Sequence, residues 1–467
     1  MTSVHSASPS TLTHSGISAA RPAGGHSVTS RFRRNLLSNA GGSVIYTALQ
    51  LGLLYLLFQW MTTQQYAAWV TLSALIAVGE MASDYGARLW ATREFSISSQ
   101  PKQVLVRSLW CKLFFTSVSA LILVVWPSES LTGDLLMIGI LVSATQPSTD
   151  PLLWYLRGQE RLDIEAAVVL VCRTATVLLM TAVAWLDGSI MSLLLIWLGC
   201  NVARILYETR LITIQPLVSS LRTTQLGITG DTWKILLLVV PVGTTLFLTS
   251  LFQRIGVLLV DHYSTADDVR TFGTAFRLVA TSGFLATGMF VSSFAALVRA
   301  IAADDHGTVR YVVRRELQLV TAVFFPVCLA GILFSVPIAE LLFAEQGTGI
   351  GLTMILLMPG LYLSCVNMGF KYIINAFALN WHDVFAVLFG IAVISGVTVF
   401  HGTLTWPAAA AIAWGVAEGS VLAVRLLLLR VNNRTGGVPL GIIVGSATVL
   451  ILTIVFFYPD AVSAGIR

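Results

Sequence analysis

Thirteen long apolar runs recur along the chain, at 36–60, 66–90, 104–126, 133–156, 164–186, 189–211, 233–260, 271–298, 315–340, 351–379, 384–401, 406–430 and 438–458. A transmembrane helix needs about 20 mostly apolar residues, so each run predicts one crossing. The runs are continuous and do not alternate with period two, which excludes a bacterial β-barrel. The expected fold class is an all-α polytopic membrane protein.

Composition agrees with the pattern. Of 467 residues, 56% are hydrophobic and 11% charged, against a usual charged share of roughly 25%. Mean hydropathy is +0.81. A soluble enzyme is excluded. The net charge of +5 does not point to nucleic acid, because the basic residues are scattered among short connections. They follow the positive-inside rule instead. With a cytoplasmic N-terminus, the inner connections carry Arg88, Arg93, Lys102, Arg107, Lys112, Arg157, Arg161, Arg204, Arg210, Arg222, Lys234, Arg299, Arg310, Arg314, Arg315, Arg425, Arg430 and Arg434. The outer ones carry only Arg270 and Arg467, together with Glu129, Asp134, Asp187, Asp261, Asp267 and Asp268. Losing or gaining one helix would scramble this alternation. The expected location is the bacterial cytoplasmic membrane.

The longest inner connection, 212–232, is rich in Ser, Gly and Gln-Pro and reads as a linker. It separates an N-terminal six-helix lobe (31–211) from a C-terminal one (233–430), leaving 431–467 as an extra helix and tail. Residues 1–30 hold twelve Ser/Thr and no apolar core, and read as a disordered cytoplasmic tail.

Several chemistries have no support in the sequence. The five cysteines stand singly in apolar surroundings, without metal spacing. No GxxxxGK[ST] phosphate loop occurs. His262 and His401 stand alone, and Asp267-Asp268 reads as a solvated face with no large outer loop to shape a sugar site. No cofactor or metal is expected.

Charges inside the apolar runs are expensive, at about 2.5–3.5 kcal/mol each on insertion scales, so each needs a reason. Arg254 and Arg277 lie about six residues from the outer ends of neighbouring antiparallel runs, or about 9 Å deep. Two guanidiniums at matched depth suit a phosphate. The competing reading is outward snorkelling or pairing with acids. Glu80, Asp84 and Arg88 are four apart on one helical face, the favourable order for an intrahelical pair. Asp150 lies between Pro147 and Pro151, which break the helix ladder. Arg173 lies deeper. A network of Glu80, Asp84 and Asp150 with Arg88 and Arg173 is expected, either tying helices together or lining a cavity or ion-coupling site. Glu418 sits near mid-membrane, as proton carrier or structural partner. Pro241, Pro326 and Pro359 predict kinks.

The stretch from Asn35 to Phe95 resembles the start of bacterial polysaccharide-export flippases of the multidrug/oligosaccharidyl-lipid/polysaccharide (MOP) exporter superfamily. Residues Thr63 to Trp69 (TQQYAAW) are similar to that family's turn after its first helix, with Ala67 in place of the usual Gly. Asp84-Tyr85-Gly86 followed by Arg93-Glu94 resembles the end of its second helix. Arg254 to Val260 and Phe272 to Leu278 are similar to its helix 7–8 hairpin, with Gln253 where an Asp is common. Leu342 to Glu345 resembles its turn after helix 9. The resemblance covers roughly 35–430.

It implies two six-helix lobes around a central cavity. It also implies transfer of an undecaprenyl-diphosphate-linked oligosaccharide to the outer leaflet by alternating access, for exopolysaccharide, capsule or O-antigen. Arg254, Arg277, Arg88 and Arg173 are the candidate substrate contacts; Glu80, Asp84, Asp150 and Glu418 are the candidate coupling or structural groups. Polysaccharide polymerase and chain-length proteins are the implied partners. The thirteenth helix departs from the family's twelve- and fourteen-helix plans. Two alternatives stand beside this reading: a MATE-like cation-coupled antiporter, which predicts an acidic and aromatic cavity, and a membrane polymerase or acyltransferase, which predicts a long outer loop or a His/Asp constellation.

Overall fold

The computed structural model describes residues 45–431 and 440–458, apart from 99, 126–130, 160, 187, 212–229, 378, 401 and 403. The expected tail, residues 36–44 of the first run, most of the linker, Glu129, Asp187, Arg222, His401, Arg434 and Arg467 lie outside the described residues.

Among the described residues sixteen α-helices follow one another: α1 (45–60), α2 (Thr63–Asp84), α3 (Ala87–Ile97), α4 (Pro101–Val125), α5 (Gly133–Ala144), α6 (Pro151–Gly158), α7 (Leu162–Leu186), α8 (Ile190–Leu211), α9 (Gly230–Tyr263), α10 (Ala266–Ser282), α11 (Phe284–Ala302), α12 (His306–Phe343), α13 (Gly347–Ala376), α14 (Asn380–Val399), α15 (Trp406–Val431) and α16 (Leu440–Phe457). Three of the thirteen expected crossings are broken rods: α2–α3, α5–α6 and α10–α11. Eight helical stretches are long and apolar enough to span a membrane, one of them being α12 and α13 together, and three further apolar helices are shorter. Leu121, Leu186, Leu341, Phe385, Phe400 and Phe456 are among many large apolar side chains exposed on the bundle. Lipid is the solvent that suits them. The chain is a multi-pass membrane protein.

Loop charge distinguishes two faces. Arg93, Arg157, Arg161, Arg310 and Arg430 mark a basic face, and Asp134, Asp267 and Asp268 mark the opposite one. Asp267 and Asp268 occupy the first turn of α10, where Asp268 and Thr265 form a reciprocal capping box. Their role there is helix initiation. On the basic face Asp305 caps α12 by accepting from the Thr308 amide at 3.0 Å. Hydrogen bonds from Thr308 hold its carboxyl below the usual carboxylate range.

Helix α2 is the shared wall of the two halves. A capping box between Thr62 and Gln65 starts it. It packs on α4 and α5 from its own half and on α9 and α10 from the other. Burial on nearly all sides explains its uniformly apolar surface. The expected continuous face of Glu80, Asp84 and Arg88 is corrected here. Helix α2 stops at Asp84, and Tyr85 (φ 37°) and Gly86 (φ 78°) turn left-handed before α3 begins. A left-handed non-glycine residue costs about 1–2 kcal/mol. Tyr85 offsets it by stacking on Phe115 at 4.7 Å and bonding the Thr244 hydroxyl at 2.7 Å.

That break lets α9 approach closely. A Cβ on Gly243 would lie 2.2 Å from the Tyr85 carbonyl oxygen, a backbone atom that cannot swing away. Gly243→Leu is therefore expected to lower the thermal midpoint of the purified protein. Gly52→Leu, where nothing lies within 4 Å, should leave it unchanged. Overpacking costs typically about 1–3 kcal/mol, and equal midpoints for the two variants would contradict the contact.

On the opposite face the halves also meet. Tyr66 and Thr274 hydroxyls are 2.9 Å apart. Arg270 donates to the Phe58 carbonyl at 2.7 Å and to Thr63 at 2.9 Å, and lies over the Phe58 ring. Phe58 packs edge-on against Phe343 at 4.6 Å.

The proline break in the fourth rod is as expected. Helix α5 ends at Ala144, a 3₁₀ turn covers Pro147–Thr149, and Asp150 caps α6 by accepting from the Leu152 amide at 2.9 Å. Trp154 donates to the Ser148 carbonyl at 2.8 Å, satisfying one group the break frees. Pro241, Pro326 and Pro359 all lie inside helices, as does Pro337. Helix α16 packs outside the second half against α12 and α13, with the Tyr458 hydroxyl bonded to the Leu333 carbonyl at 3.1 Å.

Candidate functional site

Between the halves, a cavity of about 390 Å³ lies against α1, α2, α7, α8, α9 and α10. Its walls carry Arg173, Arg254, Arg277 and one acid, Glu80, with Tyr46, Gln50, Ser73 and Trp69. Arg254 is nine residues from the end of α9, and Arg277 is eleven residues into α10. At 1.5 Å per residue they lie about 14 and 16 Å from those helix ends. The expected 9 Å counts from the ends that hydropathy draws, and both helices run past them, α9 through Asp261 and His262 and α10 from Ala266. The two guanidiniums lie close enough to each other and to Glu80 to interact electrostatically. Arg277 donates to the Ser73 hydroxyl. Arg173 lies 4.6 Å from the Tyr46 ring centre, and Glu80 accepts from the Ser148 hydroxyl.

A second space of about 700 Å³ shares Ala77, Glu80 and Arg254 with the first. It extends between α2, α9, α13 and α15 to Arg88, Asn375 and Asn380 near the basic face. Glu418, halfway along α15, lines it and accepts from the Asn367 amide at 2.7 Å. Lys371 donates to Thr249 at 3.3 Å, and Arg425 bonds Asp383 at 2.7 Å and the Asn367 carbonyl at 2.8 Å. The Tyr66–Thr274 and Arg270–Phe58 contacts join the halves at the other end of the bundle.

The expected Glu80/Asp84/Asp150 network with Arg88 and Arg173 does not form as one unit. Asp84 pairs with Arg88 across the α2–α3 break, at 3.6 Å, and accepts its backbone amide at 3.1 Å. Glu80 and Arg173 face the central cavity. Asp150 bonds Arg204 at 2.8 Å, and Arg204 also bonds Glu208 at 2.8 Å and the Thr145 carbonyl at 2.8 Å. The prolines turn the Asp150 side of the rod toward α8, which is why Arg204 is its partner.

Arg204 and Arg425 are assigned to inner connections by charge counting, yet both are buried within helices. Their signal was helical spacing. Arg204 precedes Glu208 by one turn, and Arg425 falls inside the 406–430 run. Lys371 and Asn367 carry no comparable sequence signal, since their role depends on which helices face them.

No family model matches the chain, and no curated protein matches it in sequence. Solved structures do. "Lipid II flippase MurJ, inward closed conformation" aligns over 92% of this chain and 96% of its own at 13% identity, TM-score 0.63. An inward-facing "multidrug resistance MATE family transporter of the MOP superfamily" aligns over 85% and 99% at 14% identity, TM-score 0.67. An outward-facing structure of the same description aligns over 85% and 95% at 13% identity, TM-score 0.59. The chain therefore shares the all-helical fold of these flippase and transporter structures.

Proposed function

We propose that this protein is a flippase for an undecaprenyl-diphosphate-linked oligosaccharide, acting in surface polysaccharide biosynthesis at the bacterial cytoplasmic membrane. The carrying observation is the central cavity between the halves, with three guanidiniums and one carboxylate in its walls. A diphosphate is a ligand that repays desolvating that many cations. The fold shared with a lipid II flippase supports a lipid-linked substrate.

In this reading residues 31–211 and 233–430 form two lobes joined by 212–232, with 1–30 as tail and 431–467 as appendage. The basic face is cytoplasmic, following the positive-inside rule. Arg254, Arg277 and Arg173 compensate the phosphates, while Arg88 lies on the approach. The lobes then exchange their contacts: those at Tyr66–Thr274 open and the cytoplasmic side closes. Moving two negative charges outward is favoured by about 4.6 kcal/mol per 100 mV, twice about 2.3 per charge, so ATP is unnecessary. Polymerase and chain-length proteins are the partners that would consume the product.

A second reading, a MATE-like cation-coupled antiporter, rests on Glu418. This carboxylate is 3% exposed and faces the vestibule at mid-helix, as a coupling site would. Mass spectrometry of co-purified lipids separates the two. A diphosphate-linked oligosaccharide is the expected finding. Phospholipid alone, with cation-driven drug efflux in vesicles, would replace the flippase reading by the antiporter.

A further inference from the structure

The vestibule beside the central cavity differs from it in chemistry. Its wall is lined with neutral hydrogen-bonding groups: Thr245, Thr249, Asn367, Asn375, Asn380 and Tyr372. The Oδ1 atoms of Asn367 and Asn380 are buried acceptors without a partner. Asn367 is 3% exposed. Buried unsatisfied acceptors in a polar cavity await donors. Amide and hydroxyl walls of this kind suit sugar hydroxyls, and about 700 Å³ holds an oligosaccharide-sized ligand.

Lys371 in this wall forms no salt bridge among the described residues, and the acid that acts on it, Asp383, is bonded to Arg425. Arg425 is matched by Asp383 at 2.7 Å, and Glu418 is tied to Asn367. Among the described residues Lys371 bonds only the neutral Thr249 hydroxyl. Thr249 precedes Arg254 by five residues on α9, so Lys371 is held about 7.5 Å along that helix from the guanidinium, toward the basic face. With phosphates at Arg254 and Arg277, the sugars nearest the lipid reach Lys371.

We infer that the vestibule is the glycan subsite, and that Lys371 selects an oligosaccharide bearing a carboxylate, such as a uronic acid, close to its lipid-linked end. This rests on the lipid-diphosphate reading and adds the sugar class. The anion Lys371 meets is a sugar carboxylate, not the diphosphate, which the arginines hold.

The test uses the full chain in nanodiscs. Two synthetic polyprenyl diphosphates are compared, carrying the same trisaccharide with either a hexose or the matching hexuronate next to the diphosphate. The wild-type chain is expected to bind the uronate lipid about tenfold more tightly. Lys371→Met should remove that preference by weakening the uronate lipid more than the neutral one, and Lys371→Arg should retain the preference. Equal wild-type affinity for both lipids would overturn the inference while leaving the diphosphate reading standing. So would equal weakening toward both by Lys371→Met, the mark of a structural lysine. Binding of neither lipid would instead sink the diphosphate reading, and the sugar assignment with it.

Discussion

Cells whose only copy carries Arg254→Ala with Arg277→Ala are expected to export at least about 100-fold less glycan and to accumulate lipid-linked oligosaccharide in the inner leaflet. Hydrogen bonds to charged groups contribute about 1.5–3 kcal/mol each, so losing two guanidiniums removes about 3–6 kcal/mol of phosphate binding, more than two decades in affinity. The same substitutions should not destabilise the protein. Among the described residues neither arginine forms a salt bridge, and each carries the desolvation penalty of a charge among packed apolar helices. A double variant with undiminished thermal stability and failed export identifies ligand-binding residues. Normal export by the stably inserted double variant would sink the assignment, and a large fall in stability would show that the pair holds the halves together. Arg173→Ala tests the third guanidinium in the same way, though loss of its packing on Tyr46 makes it the less clean variant.

The architecture was largely legible in the sequence, because lipid imposes one simple rule on long apolar segments. Within the described residues each of the thirteen apolar runs falls on a helical rod. The break at Pro147 and Pro151 was legible because proline removes a donor. The break at Tyr85-Gly86 was not: it goes with the close approach of Gly243 to Tyr85, a contact between positions 158 residues apart in the chain. For the candidate site, the arginines were visible as anomalies in apolar surroundings, and the structure brings Arg173, Arg254 and Arg277 to one cavity. The helix ends around them were not legible: α9 runs on through Asp261 and His262, and α10 starts before its apolar run, at Ala266. Partner choice was the hardest part. By sequence Asp150 has Arg88 and Arg173 as candidates, and only helix packing brings it Arg204 instead.

That choice leads to the largest expected effect on stability. The Arg204 side chain is fully buried, as is Glu208, and Asp150 is 4% exposed. Arg204→Ala leaves two buried carboxylates facing each other without their cation. Breaking a buried pair by removing one partner costs about 3–5 kcal/mol, and here two acids lose the same partner. The variant should show a strongly lowered thermal midpoint in detergent and poor accumulation in the membrane. Combining Arg204→Met with Asp150→Asn and Glu208→Gln removes all three charges at nearly constant volume, and Asn still caps α6. Buried ion clusters replaced by neutral groups of similar shape often lose little stability, so this triple variant should recover most of the midpoint. Its transport then discriminates two roles. Restored export means the cluster serves only to tie α5, α6 and α8 together around the proline break. A stable triple variant that does not transport would mean that Asp150 and Glu208 exchange a proton or cation during the cycle, and that the broken rod moves when the lobes do.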